Sequence, residues 1–231
     1  SGLRSINLIG AYGTGKSSFL NALEYHLNEE KLFTEGKDWK KYKQFDILKL
    51  VGSYNSIIES FKLLLNSKKA KPHELLSDLE ELIKGANSKG QGIILMIDEF
   101  GKFLEYASIN GAEQELYFLQ QIAELINNPA YEAAFITTLH QDFSAYAVNL
   151  SNTQRNEWNK VKGRFRELTF NEPVEQLLLL ASKRINATIP DKLESYIPDL
   201  LDIIAKAKAF PLKDYFDEHT AQKIYPLDLL S

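Results

Sequence analysis

The chain has 231 residues, and its 27 lysines and arginines against 31 aspartates and glutamates give a formal net charge of −4. This balance excludes a global basic field for nucleic acid, although it leaves room for a local basic patch. There is no cysteine, which excludes disulfides, thiol catalysis and thiolate metal sites and fits a cytoplasmic protein. No apolar run approaches the roughly 20 residues that a bilayer-spanning helix needs, so we expect no membrane partner.

The first predicted strand, Ser5–Ile9, leads directly into a glycine-rich loop and a helix. Residues 10–17 read Gly-Ala-Tyr-Gly-Thr-Gly-Lys-Ser, which is the G-x-x-x-x-G-K-S phosphate-binding motif in the context that it requires. Backbone N–H groups of such a loop point at phosphate oxygens, and the helix N-terminus adds partial positive charge. Lys16 would reach the β- and γ-phosphates, and the Ser17 hydroxyl would coordinate magnesium. The predicted nucleotide-binding residues of this loop are Gly10, Ala11, Tyr12, Gly13, Thr14, Gly15, Lys16, Ser17 and Ser18.

Residues 29–43 form a lysine-rich segment that contains Trp39 and Tyr42. Two interpretations are open: a basic, aromatic contact loop for nucleic acid, or a solvated connection whose aromatic rings pack against the core. We favour the second, because runs of charge usually do no more than contact water. A nucleic-acid partner therefore has only weak support in the sequence.

The next part of the chain reads as one strand and two helices. Residues 45–51 predict a strand that Gly52 ends, and Asn55 or Ser56 is placed to cap a following helix. Pro72 stands at a suitable first position of a second helix. The apolar face of that helix comprises Leu75, Leu76, Leu79, Leu82 and Ile83.

A second motif lies at the end of a strongly apolar run. Residues 93–97 are Ile-Ile-Leu-Met-Ile, which predicts a central parallel strand buried on both faces. Asp98 and Glu99 follow directly, and ligands of open α/β sheets bind at the carboxyl ends of the strands. We therefore expect Asp98 to hold magnesium, directly or through water, and Glu99 to orient and polarise the attacking water.

Residues 133–139 predict the next strand, after a helix whose apolar side chains include Leu116 and Ile126. A polar side chain at the end of this strand would be placed to contact the γ-phosphate and the attacking water. Thr138 and His140 are the main candidates, and Gln141 is a further one. The alternative is that Thr138 is only a good strand former and that His140 is hydrogen-bonded locally.

The last elements form a helix, a short strand and a helical region. Residues 154–165 predict the helix and residues 167–170 the strand, and Glu172-Pro173 opens an amphipathic helix. The chain beyond it reads as helical and is interrupted by prolines.

The resulting order, βαβα(α)βαβαβ followed by helices, is typical of a parallel sheet with helices on its faces. We therefore predict an α/β fold in two parts. Residues 1–171 would form a P-loop NTPase core, with a parallel sheet flanked by helices, and residues 172–231 a C-terminal helical lid subdomain.

The chain resembles the AAA+ group of ASCE-type P-loop ATPases over nearly its whole length. The Asp98-Glu99 pair is similar to the second nucleotide motif of the group, and residues 138–140 stand where the group has the polar residue called sensor 1. Residues 163–173, Gly-Arg-Phe-Arg-Glu-Leu-Thr-Phe-Asn-Glu-Pro, are similar to its Gly-Arg-Phe segment, which leads into the last core strand and the lid helix. The resemblance implies bound ATP and magnesium.

The resemblance also implies a homo-oligomer, because an arginine of this segment often completes the site of a neighbouring subunit. Arg164 matches that position best and Arg166 second, and a guanidinium in trans would neutralise charge on the transferring phosphoryl group. The alternative is an arginine pair with surface contacts only. Two departures argue against a closed hexameric motor: Lys162 or Val161 replaces the first arginine of the double-arginine versions, and Arg184 is the only arginine of the lid.

More loosely, residues 138–150 and 155–170 are similar to ATPase modules of large bacterial anti-phage defence proteins. The chain ends soon after the predicted lid, without a module that would recognise a substrate. This suggests a fragment of a longer protein, or an ATPase that acts through protein partners.

The sequence thus favours a module that couples Mg-ATP hydrolysis to a conformational change in an oligomeric assembly. ATP is preferred over GTP because the chain has no Asn-Lys-x-Asp guanine signature. One alternative is a slow nucleotide-dependent switch or scaffold, in which ATP binding rather than turnover is the signal. Another is a P-loop kinase with a small-molecule acceptor, whose support is limited to Arg184.

Overall fold

The computed structural model describes residues 2–29, 44–69, 71–110, 112–147, 150–170, 174–185, 188–207 and 218–225. The chain divides into two compact units, Ser1–Asn171 and Glu172–Ser231. Two predicted features lie outside the described residues: most of the lysine-rich segment, and the opening of the lid helix at Glu172-Pro173. Within the described part, no helix is both long and apolar enough to cross a bilayer.

The first unit is built on a five-stranded sheet in which every pairing is parallel. The strands are β1 (Ser5–Ile9), β2 (Gln44–Val51), β3 (Gln91–Asp98), β4 (Ala133–Leu139) and β5 (Arg166–Thr169). Their order in the sheet is β2-β3-β4-β1-β5. All five strands therefore end at the same edge of the sheet, and β4 lies between the strands that precede the glycine-rich loop and the acidic pair.

Helices cover the sheet and connect its strands. In the first unit these are α1 (Lys16–Glu29), α2 (Ile57–Leu64), α3 (Pro72–Ser88), α4 (Gly101–Ile109), α5 (Ala112–Asn127), the 3₁₀ helix Phe143–Ala147 and α6 (Asn152–Lys162). In the second unit they are α7 (Val174–Ser182), α8 (Asp191–Glu194), α9 (Ile197–Ala207) and α10 (Glu218–Lys223).

Helix α4 and the 3₁₀ helix are absent from the sequence prediction. The sequence gives little sign of α4, because it is nine residues long, begins with a glycine and has no side-chain cap at Phe100. Its burial depends on tertiary contacts: Phe103, Leu104 and Ala107 lie in the core. Helix α6 also ends at Lys162, three residues earlier than predicted.

Strand β3 is buried on both faces, as its unbroken apolar run predicts. Ile93, Leu95 and Ile97 face a large core that includes side chains from α3 and α5. Ile94 and Met96 face a smaller core with Leu20, Leu23 and Leu27 of α1. Because side chains alternate between the two faces of a strand, β3 connects both layers of helices to one central strand.

The second unit has a small hydrophobic core of its own, formed by Ile197, Ile204, Ala221 and Ile224. Helix α10 contacts both α7 and α9 within this unit. The interpretation of the unit as a lid stays a prediction.

The N-terminus of α2 is held by a buried carboxylate from another helix. Glu115 of α5 accepts a hydrogen bond from Ser56 Oγ at 2.5 Å and from the backbone nitrogen of Ile57 at 3.0 Å. Ser56 Oγ in turn accepts from the backbone nitrogen of Glu59 at 3.2 Å. A carboxylate at this end of a helix satisfies free N–H groups and interacts favourably with the helix dipole.

We expect Glu115→Ala to lower the free energy of unfolding by about 2–3 kcal/mol, because it leaves buried donors at the start of α2 without an acceptor. Glu113→Ala, which removes an exposed carboxylate from the same helix, is the control, with an expected loss below about 1 kcal/mol. Urea unfolding of both variants measures the difference, and equal losses would contradict the role of Glu115.

Candidate functional site

The glycine-rich loop between β1 and α1 has the backbone shape of a phosphate cradle. Gly13 and Gly15 have φ angles of 81° and 90°, in the left-handed region that favours glycine. The backbone nitrogen of Gly10 donates to Leu139 O at 3.1 Å, which ties the start of the loop to the end of β4. The backbone nitrogen of Phe19 donates to Gly15 O at 2.8 Å, so the helix begins within the motif.

Lys16 is folded back onto its own loop. Its Nζ donates to Gly10 O at 2.6 Å and to Ala11 O at 2.7 Å, and the residue is only 5 % exposed. Burial lowers the pKa of Lys16, while the charges of Glu99 and Asp98 oppose this change. The ammonium therefore shares an electrostatic environment with the acidic pair that follows β3.

Asp98 and Thr138 are joined directly, so two predicted site residues from neighbouring strands meet. Thr138 Oγ1 donates to Asp98 Oδ1 at 2.5 Å, and the backbone nitrogen of Glu99 lies 3.0 Å from each of these oxygens. Thr138 is 1 % exposed. These hydrogen bonds orient the Asp98 carboxylate and the start of the turn that carries Glu99.

The backbone of Glu99 is strained, and a glycine on the neighbouring strand accommodates it. Glu99 has a φ of 54°, which is rare for residues other than glycine. The backbone nitrogen of Gly52, directly after β2, donates to Asp98 O at 2.7 Å. A Cβ atom on Gly52 would lie 2.0 Å from Glu99 O. The sequence predicts Gly52 only as the end of a strand; the signal for its further role is its position at the carboxyl edge of the sheet.

His140 contacts both the acidic pair and the glycine-rich loop. Its Nε2 lies 2.7 Å from Glu99 Oε2, and its ring stacks on that of Tyr12 with 3.5 Å between centroids and 19° between planes. In the 3₁₀ helix after β4, burial raises the pKa of Tyr146 to about 12. A Cβ on Gly101 would lie 2.3 Å from the Tyr146 hydroxyl oxygen.

The two residues predicted to hold magnesium line one small cavity. Ser17 and Asp98 are among the residues around this space of about 90 Å³. A hydroxyl and a carboxylate are oxygen ligands suited to magnesium, which commonly takes its remaining ligands from phosphate and water. The described residues contain no cluster of three or more His, Cys, Asp or Glu side chains that could hold a metal by themselves.

The two candidate arginines lie at the surface, on either side of a buried phenylalanine. Phe165 packs in an aromatic cluster with Phe135, while Arg164 and Arg166 are exposed. Arg164 Nη2 lies 2.7 Å from Glu124 Oε1. The described contacts of Arg164 are thus with α5, and not with the group formed by Lys16, Asp98, Glu99 and His140.

Lys162, at the position of the missing first arginine, is paired inside the first unit. Its Nζ lies 3.2 Å from Asp142 Oδ1 and 3.5 Å from Glu167 Oε2. Lys162 therefore connects the segment after β4 to β5.

The profile of a protein family described as the KAP family P-loop domain matches residues 4–172. The chain belongs to this family. The match covers the whole sheet and the site, and together with the parallel sheet it confirms the predicted P-loop NTPase α/β fold. A comparison with curated proteins gave no significant match.

Several solved structures are similar to this chain at low sequence identity. The Aeropyrum pernix ORC2 protein, in its ADPNP–ADP complexes, has a TM-score of 0.52 and 12 % identity, over 96 % of this KAP-family chain and 62 % of that chain. Drosophila ORC bound to DNA has a TM-score of 0.47 and 13 % identity, over 96 % and 53 %. C. elegans PCH-2 has a TM-score of 0.45 and 17 % identity, over 88 % and 42 %. This chain spans less than two thirds of the length of each of these three proteins. At 12 % identity, the similarity to ORC2 shows the fold alone.

We expect Gly52→Ala to lower the free energy of unfolding by about 1–3 kcal/mol, because its Cβ would overlap the Glu99 carbonyl. Gly85→Ala in α3 is the control: a Cβ there has no neighbour within 4 Å, so we expect a gain of about 0.5–1 kcal/mol from lower backbone entropy. Chemical unfolding of both variants measures the two changes. A neutral Gly52→Ala would contradict the close approach of β2 to Glu99.

Proposed function

We propose that this KAP-family module binds Mg-ATP, hydrolyses its β–γ bond and thereby changes conformation within an oligomeric assembly. The observation that carries the proposal is that the predicted site residues meet at the carboxyl edge of one parallel sheet. Thr138 contacts Asp98, and His140 contacts Glu99. The charges of Asp98 and Glu99 also act on Lys16 of the glycine-rich loop. Such an arrangement combines a phosphate-binding loop, a carboxylate for the metal and a second carboxylate for water.

Binding would begin at the loop. Phosphate oxygens would accept hydrogen bonds from the backbone N–H groups of residues 13–17. Lys16 would give up its hydrogen bonds to the carbonyl oxygens of Gly10 and Ala11 and would contact the β- and γ-phosphates in their place. Magnesium held by the Ser17 hydroxyl and the Asp98 carboxylate would neutralise phosphate charge. ATP is preferred over GTP because the sequence has no guanine signature.

Hydrolysis would be an in-line attack of water on the γ-phosphorus. Glu99 would accept the proton of the water while the bond from the γ-phosphorus to the β–γ bridging oxygen breaks, which yields ADP and inorganic phosphate. Thr138 would keep Asp98 oriented through the 2.5 Å hydrogen bond, and His140 lies against the Glu99 carboxylate. Lys16 would stabilise the negative charge on the phosphoryl oxygens.

We expect Glu99→Gln to bind ATP with a Kd within about threefold of wild type but to lower kcat about 10²- to 10⁴-fold, because the amide cannot take the proton of the water. Glu157→Gln, a partly exposed carboxylate on α6 that pairs with Lys160, is the matched control and should keep wild-type turnover. Calorimetric binding and phosphate-release assays measure the two quantities. If Glu99→Gln hydrolyses ATP as fast as wild type, hydrolysis by this site is wrong.

Arg164 is proposed to complete the site of a neighbouring subunit. What supports this is its exposure on the turn before β5 and its place in the Gly-Arg-Phe segment. In the described structure its guanidinium pairs with Glu124, both side chains being about half exposed. An exposed pair of this kind contributes at most about 1 kcal/mol, so exchange for a phosphate in trans would cost little.

We expect wild-type turnover per subunit to rise with protein concentration, and Arg164→Ala to abolish this rise and lower the plateau about 10³-fold. Glu124→Ala separates the two roles of Arg164, because it removes the same ion pair while it leaves the guanidinium in place; its concentration dependence should stay. Turnover assays over a wide concentration range, with the oligomer measured by sedimentation, test this. Equal effects of both variants would instead indicate that Arg164 only pairs with Glu124.

The second candidate is a slow switch or scaffold in which bound ATP is the signal. The position of Lys16 favours it, since its hydrogen bonds to Gly10 and Ala11 must break when phosphates enter, so that binding alone rearranges the loop. Slow turnover that neither concentration nor Arg164→Ala changes would favour this candidate. A cytoplasmic location, protein partners and a role in anti-phage defence stay predictions.

A further inference from the structure

The glycine-rich loop carries an aromatic side chain that its phosphate-binding motif does not require. Tyr12 occupies one of the four variable positions of G-x-x-x-x-G-K-S. It is 70 % exposed, yet its ring lies flat on the ring of His140, with 3.5 Å between centroids. An exposed ring adds little to the core, so the stack itself is the contact that needs an explanation.

The His140 ring makes two described contacts that can set its orientation. One is the Tyr12 stack, and the other is the 2.7 Å contact between its Nε2 and Glu99 Oε2. An ionised carboxylate only accepts hydrogen bonds, so Nε2 carries the hydrogen. The other ring nitrogen, Nδ1, is buried and has no partner among the described residues. Without the Tyr12 ring, the Glu99 contact alone would orient the imidazole.

This contact occupies one oxygen of Glu99 and leaves the other for chemistry. Oε2 accepts from His140, whereas no hydrogen bond to Oε1 is found among the described residues. The carboxylate is planar, so fixing Oε2 also sets where Oε1 points. Displacements of a catalytic group by about 1 Å can cost 10²-fold in rate.

We propose that the Tyr12 ring is a positioning residue of this ATPase: it holds the His140 imidazole, which in turn orients the Glu99 carboxylate toward the attacking water. The proposal rests on the proposed function for its catalytic consequence. It assigns to Tyr12 a role beyond the phosphate contacts of the loop backbone, and it makes the orientation of Glu99 depend on the conformation of the loop.

The kinetic test uses Tyr12→Ala, Tyr12→Phe, His140→Ala and the double variant Tyr12→Ala/His140→Ala. We expect Tyr12→Ala to lower kcat about tenfold while the Kd for Mg-ATP changes less than about threefold, because the backbone cradle is kept. Tyr12→Phe keeps the ring and should rescue most of this loss. In the His140→Ala background, Tyr12→Ala should add less than a twofold effect, because the two residues act through one another.

Two kinetic outcomes would overturn the proposal. One is that Tyr12→Ala lowers kcat by the same factor in the His140→Ala background as in the wild-type protein. The other is a loss of ATP affinity that accounts for the slower turnover, which would make Tyr12 a direct nucleotide contact.

A second measurement does not need turnover and so separates the proposal from the proposed function. Long-range ¹⁵N–¹H spectra of the imidazoles, with His140 assigned from the His140→Ala variant, report its tautomer. We expect the Nε2–H form in wild type and in Tyr12→Phe. In Tyr12→Ala we expect a mixture of tautomers, because an imidazole that has lost the stack can rotate away from the Glu99 carboxylate. An unchanged His140 signal in Tyr12→Ala would overturn the proposal. If the signal changes but the protein shows no hydrolysis that depends on Glu99, only the proposed function is overturned.

Discussion

The parallel pairing of β4 between β1 and β3 is the constraint on which the candidate site depends. It places the end of β4 next to both the glycine-rich loop and the acidic pair. Thr138 can therefore reach Asp98, and His140 can contact Glu99 and Tyr12 at the same time. If β1 paired directly with β3, the end of β4 would not lie between the glycine-rich loop and the acidic pair. Thr138 and His140 could then not make these contacts.

Strain and hydrogen bonding are concentrated at the turn after β3. The left-handed backbone of Glu99 is held by hydrogen bonds at its own nitrogen and by the close approach of Gly52. Below the turn, β3 is packed from both faces and anchors it to the core. A strand packed on both faces under a strained turn is an arrangement that positions the Glu99 carboxylate while its side chain stays 32 % exposed.

The charged groups of the site are already hydrogen-bonded to protein atoms in the described structure. Lys16 contacts loop carbonyls, Asp98 contacts Thr138, and Glu99 contacts His140. Away from the site, Lys162 joins Asp142 and Glu167 across two segments of the first unit, while Arg164 pairs with Glu124 at the surface. Lys162 is partly buried, and both of its ion pairs lie within the first unit. The exposed ion pair between Arg164 and Glu124 is weak enough for Arg164 to exchange partners.

The P-loop fold class, the glycine-rich loop, the central strand and the identity of the acidic pair could all be predicted from the sequence alone. These follow from local patterns, namely the spacing of glycines and lysine at residues 10–17 and the unbroken apolar run at residues 93–97. Only the tertiary structure decided the strand order, the existence of α4, the role of Gly52 and the stack of Tyr12 on His140. These depend on contacts between residues far apart in the chain, such as Tyr12 and His140, and no local periodicity encodes which strand ends become neighbours.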